Sequence, residues 1–168
     1  MEEHYLINEE MKFMTGHYDR YGNHCTLIHE TERLVMINKS PLEVLDYSIR
    51  CIGFDLRGAM ETSKWQLEQT QMCPIMVNPI LRIVLFPTKS PQHEDNIWFN
   101  PHHIKRTSGN KGKTNILFSD GSSITIPARL ASFNHKLQTA EQLKSMTIET
   151  VNKPFTLVLN PRRKKANF

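Results

Sequence analysis

The stretch Cys73–Thr88, CPIMVNPILRIVLFPT, is an apolar run interrupted by prolines at positions 74, 79 and 87. A membrane-spanning helix needs about 20 mostly apolar residues, whereas this run contains Asn78, Arg82 and helix-breaking prolines. β-branched residues favour strands, and prolines in sheets stand at strand ends or edges. The run therefore predicts two short buried strands, at 75–77 and 82–86, joined at a rigid corner.

The composition is typical of a soluble globular protein. The chain has 168 residues, of which 39% are hydrophobic, enough for one domain with a real core. The first residues, MEEHYLINEE, are acidic and lack the basic and apolar regions of a signal peptide, so we expect a cytoplasmic protein. Cys25, Cys51 and Cys73 form no CxxC pair, and their apolar neighbours indicate reduced buried thiols.

The net charge of +4 hides an uneven distribution along the chain. Residues 1–48 hold nine acidic and four basic residues, whereas residues 96–168 hold three Asp and Glu against twelve Lys and Arg, a local charge of +9. A basic surface of this size favours a polyanionic partner such as nucleic acid, although a solvated basic face without a partner is the alternative.

Two segments, 5–52 and 97–140, share an order of signals: short strand, Asn, strand, glycine-bearing loop, hairpin and helix. Their alignment is sparse in identities and needs gaps, so an internal duplication and a chance similarity both remain open. The positions aligned are Asn8 with Asn100, Gly16 with Gly109, Ile37 with Ile126, Leu42 with Leu130, Leu45 with Phe133 and Ile49 with Leu137.

Local signals mark a hairpin and two helices in these segments. Asp120-Gly121 between two β-rich runs predicts a hairpin. Ser40 before Pro41 predicts the start of a helix, whose apolar face is Leu42, Leu45, Ile49 and Ile52. A second helix is predicted over residues 128–146.

These elements predict an α+β fold, strand-rich and built as a single domain over residues 1–150. Within it, residues 1–52 and 96–150 form the two hairpin-plus-helix units, and residues 53–95 form a central linker and the proline-cornered strand pair. Residues 151–168 form a basic tail without apolar periodicity, which we expect to be mobile.

No catalytic motif stands out, since the sequence contains no GxSxG elbow, Walker A loop or HExxH. His24, Cys25 and His29, with His102 and His103, are potential metal ligands, but adjacent histidines point apart on a strand and no fourth ligand is suitably spaced. We therefore expect no enzyme activity, no metal and no cofactor.

Two cationic groups are the candidate nucleic-acid-binding residues. In IKRTSGNKGK, residues 104–113, cations surround a flexible loop from which they can reach along a nucleic-acid backbone; they are Lys105, Arg106, Lys111 and Lys113. In residues 46–64 a second group surrounds two glycines at the end of a predicted helix. This group comprises Ser48, Arg50, Gly53, Arg57, Gly58, Ser63 and Lys64. A solvated loop tip and cations that stabilise a helix end are the alternatives.

The chain resembles the competence transcription factor family, ComK, from about Asn38 to Phe133. SPLEVLDYSIRCIG is similar to the family's Pro-Leu helix ending in a Ser, basic, Gly pattern, carried here by Ser48, Arg50 and Gly53. The remaining matches follow in the family's order, and they are Pro74, Ile75, Pro79, Phe86, Pro87, Thr88, Trp98, the Asp120-Gly121 turn and Ser132-Phe133.

The resemblance implies a bacterial transcription activator that switches on DNA-uptake genes, including its own gene. It implies double-stranded AT-rich promoter DNA as the partner, bound at paired boxes by two homodimers through the minor groove, where narrow A-tracts attract Arg and Lys. It also implies capture by the MecA adaptor for the ClpC-ClpP protease, through a segment to which FTLVLNP is loosely similar; its residues are Phe155, Leu157, Leu159 and Pro161. The protein would be cytoplasmic and nucleoid-associated, without a membrane partner.

The chain departs from the family pattern at three places. Ala59-Met60 stand where the family shows two basic residues after the second glycine, Cys73 replaces one of the first prolines, and the C-terminus is shorter than in typical members. An alternative is therefore a truncated paralogue that regulates through contact with a full-length activator or with the adaptor, without strong DNA binding.

Overall fold

The computed structural model describes residues 1–152. They form a mixed α+β domain of nine strands and three helices, which confirms the predicted fold class. In chain order the elements are β1 (Met11–Tyr18), β2 (His24–Glu30), β3 (Leu34–Ile37), α1 (Pro41–Arg50), α2 (Leu56–Leu67), β4 (Ile75–Asn78), β5 (Ile83–Pro87), β6 (Ile97–Phe99), a 3-10 turn (Pro101–His103), β7 (Ile104–Asn110), β8 (Lys113–Phe118), β9 (Ser123–Ile126) and α3 (Leu130–Asn152).

The apolar stretch 73–88 forms β4 and β5, as predicted. Every residue of β5 is buried, because the strand lies inside a six-stranded antiparallel sheet of order β3-β2-β1-β6-β5-β4. Ile83 and Leu85 pack in one core cluster, while Val84 and Phe86 pack in the other. A strand covered on both faces needs an unbroken apolar run, which is why this stretch lacks polar alternation.

Helix α1 covers one face of this sheet and begins at Pro41, as predicted. The Ser40 hydroxyl accepts a hydrogen bond from the Glu43 backbone N–H, and the Glu43 carboxylate accepts one from the Ser40 N–H. Its buried apolar side chains are Pro41, Val44, Leu45 and Ile49. The helix ends at Arg50, so Ile52 lies beyond the apolar face to which the sequence assigned it.

Helix α2 is an element that the sequence pattern did not indicate. The predicted linker over residues 53–72 is wrong for Leu56–Leu67, which are helical. Asp55 caps the helix, because its carboxylate accepts a hydrogen bond from the Gly58 N–H at 2.6 Å. Ser63 is the one fully buried residue of α2, so the helix has too weak an apolar face to be recognised by its periodicity.

A three-stranded antiparallel sheet, β7-β8-β9, and helix α3 cover the other face of the large sheet. Phe118 of β8 and Phe133 of α3 pack around Phe99 of β6. The hairpin at Asp120-Gly121 joins β8 and β9 as predicted, and α3 runs to Asn152, beyond the predicted end at residue 146. The large sheet therefore separates α1 and the start of α2 from the second sheet.

The two predicted units have the same order of elements, β1-β2-β3-α1 and β7-β8-β9-α3. Thr26 in β2 donates its hydroxyl proton to the carbonyl of Lys39 at 2.7 Å, and Thr114 in β8 donates to the carbonyl of Ala128 at 2.6 Å. Each of these carbonyls lies two residues before the first residue of the following helix. Both threonines are fully buried, so the same strand-to-helix link holds both units together.

The asparagines and glycines of the predicted alignment also match. The side-chain oxygens of Asn8 and Asn100 each accept a hydrogen bond from the backbone N–H two residues further on. A Cβ added to Gly16 would lie 3.4 Å from the first residue of α1, and one added to Gly109 would lie 3.4 Å from the first residue of α3. These matches support the internal duplication.

Candidate nucleic-acid interface

The four cations of segment 104–113 lie on a strand pair, which we call the basic hairpin. Lys105 and Arg106 are in β7, Lys113 begins β8, and Lys111 stands in the two-residue turn between the strands. Lys111 and Gly112 have φ angles of 50° and 80°, the left-handed values of a type I′ turn. The predicted flexible loop is therefore wrong, because apart from these two residues and Lys105, which lies at an irregularity of the pairing, the segment is paired in the sheet.

The basic hairpin presents its cations to solvent. Cross-strand pairing of Arg106 with Leu117 and of Asn110 with Lys113 places both cations on the face opposite to buried Ile116. All four cations are exposed, and none forms an ion pair with a carboxylate of residues 1–152. The positive charge is thus free to contact phosphate groups.

The second predicted group surrounds the corner between α1 and α2. Arg50 is the last residue of α1, and its guanidinium lies 2.8 Å from the Asp46 carboxylate while its side chain stays 68% exposed. Gly53 has a φ of 94°, a conformation that favours glycine and turns the chain toward α2. Arg50 and Gly53 therefore lie together at a solvent-exposed corner.

Arg57 and Gly58 belong to the first turn of α2. Arg57 is exposed at the positive end of the helix dipole, where a cation is unfavourable for the helix. The position of Arg57 therefore fits a binding role better than a stabilising one. Glycine is favoured at position 58 for a structural reason, since an added Cβ would lie 2.9 Å from the carboxylate of the capping residue Asp55.

The remaining residues of this group are less suited to contact. The Ser48 hydroxyl accepts a hydrogen bond from the Ile7 N–H at 3.0 Å and is 2% exposed. Ser63 is also buried, whereas Lys64 is partly exposed with its ammonium 3.6 Å from the Glu61 carboxylate. Neither serine is therefore accessible to a ligand at this surface.

A groove of about 610 Å³ runs along the α1–α2 corner. Its lining includes Arg50, Phe54, Thr62 and Pro79. Residues 79–82 form the β4–β5 turn, whose apolar side chains are exposed. The sequence pattern predicts this turn only as the corner of a buried strand pair. The signal that could have revealed its exposure is the presence of apolar residues after Asn-Pro, where turns are ordinarily polar.

The basic hairpin and the α1–α2 corner lie on opposite sides of the six-stranded sheet. Apolar residues of α1 and of the start of α2 pack in one core cluster, whereas Ile104 and Ile116 of the hairpin pack in the other. No residue of the hairpin lines the groove. The structure therefore does not bring the two predicted groups together, and they form two separate surfaces.

An ion pair between a buried lysine and a partly exposed aspartate ties β1 to the second sheet. The Lys12 ammonium lies 2.9 Å from the Asp120 carboxylate and donates to the Ser122 hydroxyl at 3.0 Å. The Ser122 hydroxyl and N–H, together with Lys12, lower the pKa of Asp120 to about 2, although partial burial opposes this shift. This cation is 8% exposed, so its role is to join the two sheets.

The structure also bears on the predicted metal ligands, thiols and adaptor segment. Within residues 1–152, no group of three or more His, Cys, Asp or Glu is positioned to hold a metal ion. In the same residues, no helix is long and apolar enough to cross a membrane. Cys25 and Cys73 are buried, but Cys51 is exposed, which contradicts the prediction of three buried thiols. The adaptor-binding segment predicted at residues 155–161 lies outside the described residues.

The chain is similar in sequence to known proteins. The family described as ComK protein matches residues 2–152. A curated relative, the competence transcription factor of Bacillus subtilis (strain 168), is 27% identical over 125 residues, which are 74% of this chain and 65% of the relative. The match therefore spans less than two thirds of that relative's length. No solved structure matches the chain.

Proposed function

Because this chain belongs to the ComK protein family, we propose that it is a competence transcription factor that binds promoter DNA and activates DNA-uptake genes, including its own. The observation that carries the proposal is the basic hairpin. Four exposed cations without carboxylate partners among residues 1–152 stand on one strand pair inside the region that matches the family. This is the charge arrangement that phosphate contacts require.

The proposed target is AT-rich duplex DNA read through the minor groove. The basic hairpin carries its cations on strands, and Arg50 and Arg57 stand at a helix corner, so neither group resembles a helix that reads base edges in the major groove. Arginines favour the narrow, strongly negative minor groove of A-tracts. Selection by groove shape therefore suits these residues.

Assembly and turnover complete the proposal. We propose that the protein acts as a homodimer, with two dimers at each promoter, and that the MecA adaptor delivers it to ClpC-ClpP through residues 155–161. Its place of action would be the nucleoid, and we propose no enzymatic activity and no cofactor. The resemblance of the sequence to the ComK family is the basis for these partners.

A binding titration tests the central claim. Labelled duplexes of equal length, one with paired AT-rich boxes and one GC-rich, are titrated with the protein and followed by fluorescence anisotropy at several salt concentrations. We expect tighter binding to the AT-rich duplex and an affinity that falls steeply with salt. A protein that bound neither duplex would refute the DNA-binding function.

A regulator that acts through protein contact is the second candidate. Ala59 and Met60 pack partly buried against the core, so α2 presents no cations where the family resemblance leads one to expect two. Weak binding of both duplexes, together with a stable complex with a full-length family member or with the adaptor, would favour this candidate. A light-scattering measurement of the mixed proteins detects such a complex.

A further inference from the structure

The β4–β5 turn exposes apolar side chains that the core does not use. Ile80 is 80% exposed and Leu81 is 46% exposed, although they connect two strands with buried residues. Turns are ordinarily formed by Gly, Pro, Asn, Asp and Ser. These two adjacent residues therefore form an exposed apolar tip that neither the core nor ordinary turn composition accounts for.

The turn has a fixed shape before any partner binds. The side-chain oxygen of Asn78 accepts hydrogen bonds from the backbone N–H groups of Ile80 and Leu81, each at 3.0 Å. Arg82 has a φ of 59°, a left-handed conformation that is unfavourable for residues other than glycine. Because the backbone is already ordered, a partner need not order the turn in order to contact it.

Arginines flank the apolar tip of the turn. Pro79 and Arg50 line the same groove, and Arg82 is exposed at the end of the turn. The nearby carboxylates are engaged, Asp46 by Arg50 and Asp55 by the first turn of α2. None of the carboxylates in residues 1–152 forms an ion pair with Arg82. The tip therefore combines apolar side chains with the positive charge of Arg82, which has no carboxylate partner among residues 1–152, and lies near the exposed but paired Arg50.

We propose that Ile80 and Leu81 form a wedge that enters the minor groove of duplex DNA and partly unstacks one base step, while Arg82 and Arg50 contact the groove and phosphates on either side. Apolar side chains inserted between base steps are the means by which many minor-groove proteins kink DNA. This inference rests on the proposed DNA-binding function and extends it, because it assigns the residues that deform the duplex.

Charge favours DNA over a second copy of the chain as the occupant. A symmetric dimer formed through this turn would bring Arg82 and Arg50 close to the same residues of its partner, and like charges across an interface are unfavourable. DNA offers phosphates to the arginines and base faces to the apolar tip. TA steps unstack most readily, so the wedge would favour AT-rich boxes that contain a TA step.

The test uses a duplex that carries the fluorescent base 2-aminopurine beside a TA step, since its fluorescence rises when the base unstacks. We expect the wild-type protein to bind with a rise in fluorescence. The double variant Ile80→Ser/Leu81→Ser should bind about tenfold more weakly, a change of about 1.4 kcal/mol, without the rise. Ile80→Met/Leu81→Met should restore both, because it returns apolar side chains to the turn.

Leu34→Ser is the matched control, because Leu34 is an apolar residue that is 65% exposed on β3. It should bind DNA and raise the fluorescence as the wild type does. A normal fluorescence rise with the serine double variant, or no rise on binding of the wild type, would overturn the wedge and leave DNA binding standing. Failure of the wild type to bind would overturn the proposed function and the wedge together. Loss of a DNA-free dimer in the serine variant would assign the turn to a second copy instead.

Discussion

The number of phosphate groups that the basic hairpin contacts can be measured by substituting Lys111 and Lys113. The slope of log affinity against log salt is about −0.9 for each phosphate contact, so a dimer that uses all four hairpin cations of each protomer should show about −7. The full set of phosphate contacts need not be known for this measurement, because removal of two cations per protomer should change the slope to about −3.6. The change in slope is therefore the quantity to measure.

The choice of substitution at Lys111 follows from its left-handed φ of 50°. Asn adopts this conformation more readily than Ala, so Lys111→Asn removes the charge and preserves the turn. Lys113 begins a strand, and Lys113→Thr suits that position. Arg20→Ala is the control, since Arg20 is an exposed cation in the corresponding turn of the first unit, where it lies over the ring of Tyr21 at 5.1 Å.

Anisotropy titrations of the AT-rich duplex between roughly 50 and 200 mM salt give the slopes. Circular dichroism shows first that each variant is folded. We expect the Lys111→Asn/Lys113→Thr variant to lose the same affinity for AT-rich and GC-rich duplexes, because phosphates carry no sequence information. A wild-type slope in this variant, with DNA binding intact, would show that the hairpin does not contact phosphates.

Three further predictions concern the groove, the base edges and the ion pair. Arg50→Ala and Arg57→Ala should each weaken AT-box binding by about 1 to 3 kcal/mol and reduce the preference over GC-rich DNA; an unchanged preference in folded variants would make this corner purely structural. Replacing adenine-thymine by inosine-cytosine pairs should preserve binding, because the minor-groove face is largely kept, and loss of binding would indicate major-groove contacts. Asp120→Asn should lower the free energy of unfolding by about 1 to 2 kcal/mol at neutral pH, since Lys12 loses its charged partner. The folded pKa of about 2 lies below the ordinary 3.8, so this stabilisation is present above about pH 4 and disappears as the pH falls toward 2. Urea unfolding followed by the fluorescence of buried Trp98 should therefore show the variant and the wild type converging in acid, and a constant difference would contradict the assignment.

The sequence was sufficient to predict those structural elements in which a residue interacts with its immediate neighbours in the chain. Ser40 and Glu43 cap α1 through atoms three residues apart, and Asp120-Gly121 closes a hairpin within a few residues. The unbroken apolar content of β5 predicted a buried strand because both of its faces are covered. Such features depend on short stretches of chain, so the sequence alone predicts them.

Other features depend on partners that are distant in the sequence. Strand β7 has mostly exposed, polar residues and is held by its pairing with β8, so its sequence is typical of a loop. Ser48 is buried under the N-terminal segment, where its hydroxyl accepts a hydrogen bond from the Ile7 N–H. No local sequence pattern indicates this contact. The separation of the two cationic groups by the large sheet is likewise a result of tertiary packing, and composition could not predict it.

The pairing of β1 with β6 has a consequence for how the protein is made. Phe13 pairs with Phe99, so one edge of β1 stays open until the ribosome has added 86 further residues. At about 5 to 20 residues per second, that delay is roughly 4 to 17 s, far longer than a hairpin needs to form. During it, the nascent β1-β2-β3 meander exposes an unpaired strand edge and the aromatic face that α3 and the second sheet later cover. Chaperones that bind the emerging first half would therefore raise the yield of active protein, whereas slowing translation before β6 would lower it.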